Sequence, residues 1–237
     1  MKQSLIFLLV WKVKNDEWSK RMITNERISS YIDSLEIELP EHLKKIEKEA
    51  LANYVPIIKR PTRSLLRFLI HLYRPKKILE VGTAVGFSAL LMSEYIPEEC
   101  KITTIERIPK RIEEAKKNIM ENKKEEVITI LEGDAADILV DLVNKGEQYD
   151  MIFMDAAKGQ YPHFLPYIMN MLPKGGILIS DNVLQDGDIV ESRYAVTRRN
   201  RTIHFRMREY LYQLTHMEGM DTIVMPIGDG VTLSTKL

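Results

Sequence analysis

Two stretches of the chain carry oxygen donors where a cation or a proton could be handled. Asp155-Ala156-Ala157-Lys158-Gly159-Gln160-Tyr161 closes one short apolar run, and Asp181-Asn182 closes another. If those runs are neighbouring strands, Asp155, Asp181 and Asn182 converge on one spot. Two carboxylates and an amide oxygen form a hard donor set, suited to Mg²⁺, Mn²⁺ or Ca²⁺ with water and substrate completing the shell. Zinc prefers His and Cys and does not suit it. By itself Asp181-Asn182 reads as a turn cap; the company of Asp155 is what favours a metal. Lys158 follows Asp155 by three residues. A divalent cation beside it would disfavour its ammonium form and suit it to general-base work. Alone, it is one surface lysine among many.

A second group of residues points to a nucleoside. Glu80-Val81-Gly82-Thr83-Ala84-Val85-Gly86-Phe87-Ser88 places glycines where the chain can turn tightly and a ligand can approach the backbone. A dinucleotide loop would read G-x-G-x-x-G and bring a pyrophosphate to a helix N-terminus. Here Ala84 stands at the second glycine, and Glu80 precedes the loop. A carboxylate there repels a diphosphate and attracts an ammonium or sulfonium group, which argues against an NAD dehydrogenase. Glu106 lies 24 residues after Gly82, where an acid can accept hydrogen bonds from both ribose hydroxyls; the plainer alternative is a solvated carboxylate beside Arg107. Gly133-Asp134-Ala135 adds a third acid, suited to an adenine amino group. Three acids after three successive strands favour a neutral or cationic nucleoside over a phosphate-bearing one.

These residues need a scaffold that gathers strand ends, and the hydrophobic patterning supplies one. Short apolar runs at 77–82, 101–106, 127–132, 149–155 and 176–181 alternate with amphipathic stretches at 87–95, 109–121, 136–144 and 163–171. That order predicts right-handed β-α-β units and a parallel sheet with helices on both faces. A helix over 201–216 then leads into two strands, 221–226 and 230–236, joined tightly enough for a hairpin. Apolar spacing predicts further helices over 24–35, from Pro40 through Leu51, and over 62–73.

Composition sets outer limits. Of 237 residues 45% are hydrophobic and 29% charged, which excludes disordered, collagen-like and coiled-coil chains. Lys plus Arg equals Asp plus Glu, so a wholly basic nucleic-acid coat is excluded, though not a local basic patch. The single cysteine, Cys100, precludes an intrachain disulfide and a Cys-based zinc site, and reads as cytoplasmic. The run Leu5–Trp11 is too short to span a bilayer and lacks a signal-peptide cleavage pattern. Residues 1–21 are expected to be an extension, with Met22 a plausible start, and 22–237 one domain with N-terminal helices at 24–73.

Taken together, the E-V-G-T-A-V-G-F-S loop, Glu106, G-D-A, D-A-A-K-G-Q-Y and S-D-N resemble the cation-dependent O-methyltransferases that use S-adenosylmethionine, the catechol and caffeoyl-CoA type. The resemblance covers about Tyr31 to Leu237. It implies a Rossmann-like class I methyltransferase fold: a seven-stranded, mostly parallel α/β sheet with an antiparallel last strand. It implies that Glu80, Gly82, Thr83, Ser88, Glu106, Asp134, Ala135 and Asp155, with the backbone near Ile58, hold S-adenosylmethionine. Asp155, Asp181 and Asn182 would hold Mg²⁺, Mn²⁺ or Ca²⁺, with Lys158 as base and Asp155 beside it in catalysis. A homodimer is implied as well, and no membrane.

The acceptor must offer two adjacent oxygens to the metal, one of which ionises and is methylated. Catechols do so, and so does 5-hydroxyuridine, with its 5-oxygen next to the 4-carbonyl. Arg193 to Arg208 holds six Arg, one His and no acid in a chain of zero net charge. Following Asp181-Asn182, it is expected near the acceptor mouth, where Arg193, Arg198, Arg199 and Arg201 could pair with phosphates and stack on bases. A solvated charged face is the simpler account. With D-N-V-L-Q-D-G before it, the stretch resembles the bacterial tRNA 5-hydroxyuridine methyltransferase branch, which forms 5-methoxyuridine at the wobble position of the anticodon loop. A catechol-type small-molecule methyltransferase is the alternative. A non-catalytic cofactor-binding or RNA-binding module is disfavoured by the intact Asp155, Lys158, Asp181, Asn182 set.

Overall fold

Strands buried on both faces are mostly apolar along their length, and the central runs here are, with Glu80, Thr104 and Ser180 the buried polar exceptions. In the computed structural model, which describes residues 26–237, they form β1 (Lys77–Val81), β2 (Lys101–Glu106), β3 (Ile128–Glu132), β4 (Met151–Met154) and β5 (Ile177–Ser180). β6 (Met220–Met225) and β7 (Val231–Lys236) complete a seven-stranded sheet of order β3-β2-β1-β4-β5-β7-β6. β7 pairs antiparallel with β5 and β6; the other pairings are parallel. The expected sheet, with its antiparallel last strand, is what the chain forms.

Alternation along the strands splits the core in two. Ile78, Phe153, Ile177 and Ile179 face one side, where they pack with residues of α2 (Glu41–Ala52), α3 (Arg60–Tyr73) and α4 (Phe87–Ser93). Leu79, Ile152, Met154 and Leu178 face the other, against α6 (Ala135–Asn144), α7 (Tyr161–Met171) and α8 (Arg201–His216). α5 (Pro109–Glu121) buries Ile112, Ala115 and Ile119. Proline stands in the first turn of α3, α5 and α7, where its missing N–H breaks no helical bond.

The described chain divides into a unit ending at Glu38 and a unit Leu39–Leu237. The first contains α1 (Glu26–Ser34), with Ile28, Tyr31 and Ile32 exposed. The expected boundary at residue 21 and the Leu5–Trp11 run lie outside the described residues. Among the described residues no helix is long and apolar enough to cross a membrane.

Candidate active site

Parallel strands send their carboxyl ends to one rim of the sheet, and ligands of open α/β sheets sit there. A cavity of about 910 Å³ opens on that rim. Its walls include Ile58, Gly82, Thr83, Ser88, Glu106, Asp134, Ala135, Asp155, Lys158 and Asn182. The structure therefore brings together residues from five strand ends and from the stretch before α3.

Gly82 and Thr83 turn over the end of β2, both donating backbone N–H to Ile105 O at 3.1 Å. Ala84 takes a positive φ of 45° in this loop, and Gly86 caps α4. Glu106 is not the solvated carboxylate of the plainer reading: it is buried, Oε1 accepts the N–H groups of Arg107 and Ile108, and Oε2 accepts that of Ala84, each at 2.9 Å. It thus ties the glycine loop to the end of β2 while lining the cavity; Oε2, with one donor, keeps capacity for a ligand hydroxyl. Asp134 caps α6 by accepting from Ala136 N at 3.0 Å and pairs with Arg107. The Ala136 hydrogen bond, then Arg107, hold its carboxyl below the usual range.

Glu80 is not on the cavity wall. It is fully buried beneath the loop, Oε2 accepts from Thr104 at 2.5 Å, and Thr104 in turn shares a 2.6 Å hydrogen bond with Thr83. Oε1 has no partner in hydrogen-bonding geometry, although the Ser88 hydroxyl is near enough to favour the charge. Burial dominates and pushes the carboxyl up to about 7, with the charges of Asp155 and Glu106 adding to it. The fold therefore keeps Glu80 protonated at pH values where the unfolded chain ionises it. Its contribution is fully present below about pH 4.5 and is lost as pH rises to about 7. We expect Glu80→Gln, which retains an acceptor for Thr104, to remove a pH-dependent loss of about 3 kcal/mol. Melting temperatures of both proteins from pH 4 to 8 check this: the curves should converge at the low end, draw apart progressively above about pH 4.5 and stay a constant distance apart above about 7. Parallel curves would show that Glu80 does not titrate there.

The other half of the cavity holds the oxygen donors. β4 and β5 are adjacent, so Asp155 and Asp181 leave neighbouring strand tips. The Tyr161 hydroxyl staples those tips, lying 3.0 Å from Met154 O and 3.1 Å from Asp181 O. Asp181 is 1% exposed and sits behind the wall rather than on it. Burial and then the charge of Asp155 push its carboxyl up to about 7; burial also raises that of Asp155. Asn182 has a positive φ of 59°, a conformation asparagine tolerates, and its Nδ2 donates to Asp229 Oδ2 at 3.2 Å. Among the described residues no group of three His, Cys, Asp or Glu side chains gathers as a metal set. The set on hand is two carboxylates and an amide. Its chemistry fits a hard divalent cation, whose charge would favour the ionised forms of two carboxyls that burial pushes up, Asp181 being raised further by the charge of Asp155.

Lys158 opens a 3₁₀ turn, Lys158–Gln160, and its ammonium favours the charged forms of both Asp155 and Asp181. Arg206 of α8 holds that turn by donating to Gly159 O at 2.9 Å. The arginine segment stands apart from the cavity wall. Arg193, Arg198 and Arg199 are exposed, and Arg201 lies over the ring of the exposed Tyr194 at 6.0 Å while donating to Val196 O. None of the four lines the cavity. Arg206, from the same segment, touches the turn that carries Lys158 but does not line the cavity either.

Three further residues were not legible as site residues. Asp229, in the β6–β7 hairpin, lines the cavity, pairs with Lys59 and receives Asn182. Lys59 precedes α3, and Thr62 in its first turn approaches Asp181 Oδ1 at 3.5 Å. The Ile227-Gly228-Asp229-Gly230 stretch reads as a turn in sequence, and nothing local says which strand end the turn touches.

A family described as O-methyltransferase matches residues 29–237. The catechol O-methyltransferase of Niastella koreensis is 35% identical over 127 residues, which are 53% of this chain and 58% of that protein. A Staphylococcus aureus structure, provisionally assigned as a caffeoyl-CoA O-methyltransferase, superposes with a TM-score of 0.81 at 31% identity, over 88% of this chain and 99% of that one. The O-methyltransferase TomG of Streptomyces achromogenes, solved with S-adenosylmethionine, shares the fold at TM-score 0.78 and 24% identity, over 91% of this chain and 99% of that one.

Proposed function

This chain belongs to the O-methyltransferase family, and from that premise we propose that it methylates 5-hydroxyuridine at the tRNA wobble position with the aid of a divalent cation. S-adenosylmethionine is the methyl donor. The cavity supports that donor: it is rimmed by Glu106 and Asp134, and Arg107 on the same wall is paired with Asp134, so the rim favours a neutral or cationic nucleoside. Gly82, Thr83, Ser88, Ala135 and the Ile58 segment would shape the nucleoside end, with Asp155 between it and the acceptor.

Asp155, Asp181 and Asn182 would hold the cation. Bound there, it would favour ionisation of a hydroxyl that sits beside a second oxygen. Lys158, on the same wall, would take the hydroxyl proton at Nζ as the neutral amine, the form that a cation bound beside it would favour. The acceptor oxygen then forms a bond to the methyl carbon as the carbon–sulfur bond breaks and the electron pair stays on sulfur. The walls supply the rest by holding donor and acceptor in line.

The observation that carries the RNA reading is the exposed basic segment with its aromatic. Arg193, Arg198 and Arg199 are exposed, and so is Tyr194, at 85%, with the Arg201 guanidinium 6.0 Å from its ring centre. Exposed guanidinium groups next to an uncovered ring suit phosphates and unstacked bases. A second reading, catechol-type methylation of a small molecule, is favoured by the relatives that carry that name. For the apolar face of α1 we propose a second copy of the chain as the covering surface.

Nucleoside mass spectrometry tests the acceptor. Hydroxylated tRNA incubated with the enzyme, labelled S-adenosylmethionine and Mg²⁺ should yield labelled 5-methoxyuridine, and a chelator should stop it. Arg198→Glu combined with Arg199→Glu should cut methylation of tRNA tenfold or more, in keeping with two lost phosphate contacts. A simple catechol should be turned over equally by both proteins. Unlabelled tRNA together with efficient catechol turnover would move the assignment to the second reading.

A further inference from the structure

We infer that Asp229 is a positioning residue: its carboxylate fixes which way the Asn182 amide faces, and so which atom of Asn182 is offered to the Asp155 and Asp181 pair. The inference rests on the cation site proposed above and adds a residue from the far end of the sheet.

The chemistry of the contact is one-directional. An ionised carboxylate only accepts hydrogen bonds, so the Asn182 atom 3.2 Å from Asp229 Oδ2 must be the NH₂ group. The carbonyl Oδ1 is thereby turned to the other side. An amide without that partner can turn over and present its NH₂ group, which cannot ligate a cation. Lys59 pairs with the other oxygen of Asp229, which leaves Oδ2 as the one that receives Asn182.

The backbone holds the two residues in register. Val183 N donates to Gly230 O and Leu184 N to Asp229 O, each at 2.9 Å. Gly230, at φ +87°, lets the hairpin sit against the segment after β5: a Cβ there would lie 2.3 Å from Leu184 Cγ and 2.7 Å from its backbone nitrogen. The hairpin cannot slide without losing these contacts, so Asp229 is delivered to Asn182 by the fold.

The test is Mn²⁺ affinity of the full chain, read by the electron paramagnetic resonance of free Mn²⁺ with S-adenosylhomocysteine present. The proteins are the wild type, Asp229→Ala, Asn182→Ala and the double variant. Asp229→Ala should weaken binding by roughly 10–100-fold, as loss of an orienting partner does. If Asp229 acts through Asn182, the same change in the Asn182→Ala background should cost less than about threefold. Equal losses in both backgrounds would mean that Asp229 acts by charge or direct ligation, and would overturn the positioning role. So would wild-type affinity in Asp229→Ala. A wild type that binds no Mn²⁺ overturns the cation site and this inference together. Circular dichroism reports whether each variant is folded. Should Asp229→Ala be unfolded, Asp229→Asn in both backgrounds decides by the same pattern, since it keeps the shape and loses the one-way acceptor.

Discussion

Lys158→Met lowers the methyl-transfer rate by roughly 10²–10⁴-fold, the contribution of a positioned proton acceptor, while S-adenosylmethionine binding stays within about threefold. Methionine keeps an unbranched side chain and removes only the nitrogen. Lys158 shares the cavity wall with Asp155 and Asn182, and the turn that carries it is pinned by Arg206 to Gly159 O. The loss should therefore fall on the chemical step. Rapid-quench single-turnover assays on hydroxylated tRNA or a catechol, alongside calorimetric binding of S-adenosylhomocysteine, separate the two quantities. A rate within threefold of wild type would remove Lys158 from the base role. A parallel loss of cofactor binding would instead make it a wall residue. The change also withdraws a positive charge that favours ionisation of Asp155 and Asp181. Lys158→Arg, which keeps the charge but gives up the proton far less readily, distinguishes these effects: it should be as slow as Lys158→Met if proton transfer is what is lost.

What could be read from the sequence was whatever is written locally. The central strands announce themselves because a strand buried on both faces is mostly apolar. β2, α5 and α8 begin and end where the pattern places them. The rim acids Glu106, Asp134 and Asp155 were legible because strand ends are where a parallel sheet exposes its chemistry. What an acid does once there was less so. Asp134 spends one oxygen capping α6 and pairs with Arg107, and Glu106 ties down three backbone N–H groups. Glu80 lies under the loop rather than in it, because its strand position alternates inward against Thr104. Asp229 was hidden for another reason. Its partners Lys59 and Asn182 are distant in sequence, and only the antiparallel pairing of β7 with β5 brings the hairpin to them. The arginine segment shows the same limit: its composition was plain, but its distance from the cavity wall depends on how α8 packs.

Gly82→Ala should cost at least about 4 kcal/mol, the range reserved for substitutions with a named steric or backbone cause. Gly82 has φ +109°, outside the small left-handed region that alanine tolerates, and that strain alone amounts to about 1–3 kcal/mol. The larger part is steric. A Cβ at Gly82 would lie 2.1 Å from the carbonyl oxygen of Asp155 and 2.9 Å from its carbonyl carbon. These are backbone atoms at the tip of β4, paired to β1, and cannot swing aside as a flexible side chain could. The two strand tips must part, and the residue that moves is Asp155. Gly146→Ala is the control: its φ is +71° and a Cβ there meets nothing within 4 Å, so it should cost about 1 kcal/mol. Thermal melts should place Gly82→Ala about 10 °C below wild type and Gly146→Ala within about 4 °C of it. Material that still folds should transfer methyl groups far more slowly than the Gly146 variant, because the cavity wall has been displaced at its central carboxylate. Melting temperatures of the two variants within about 2 °C of each other would show that β1 and β4 separate easily at this rim, and the close packing of Gly82 on Asp155 would then not be what sets the position of that carboxylate.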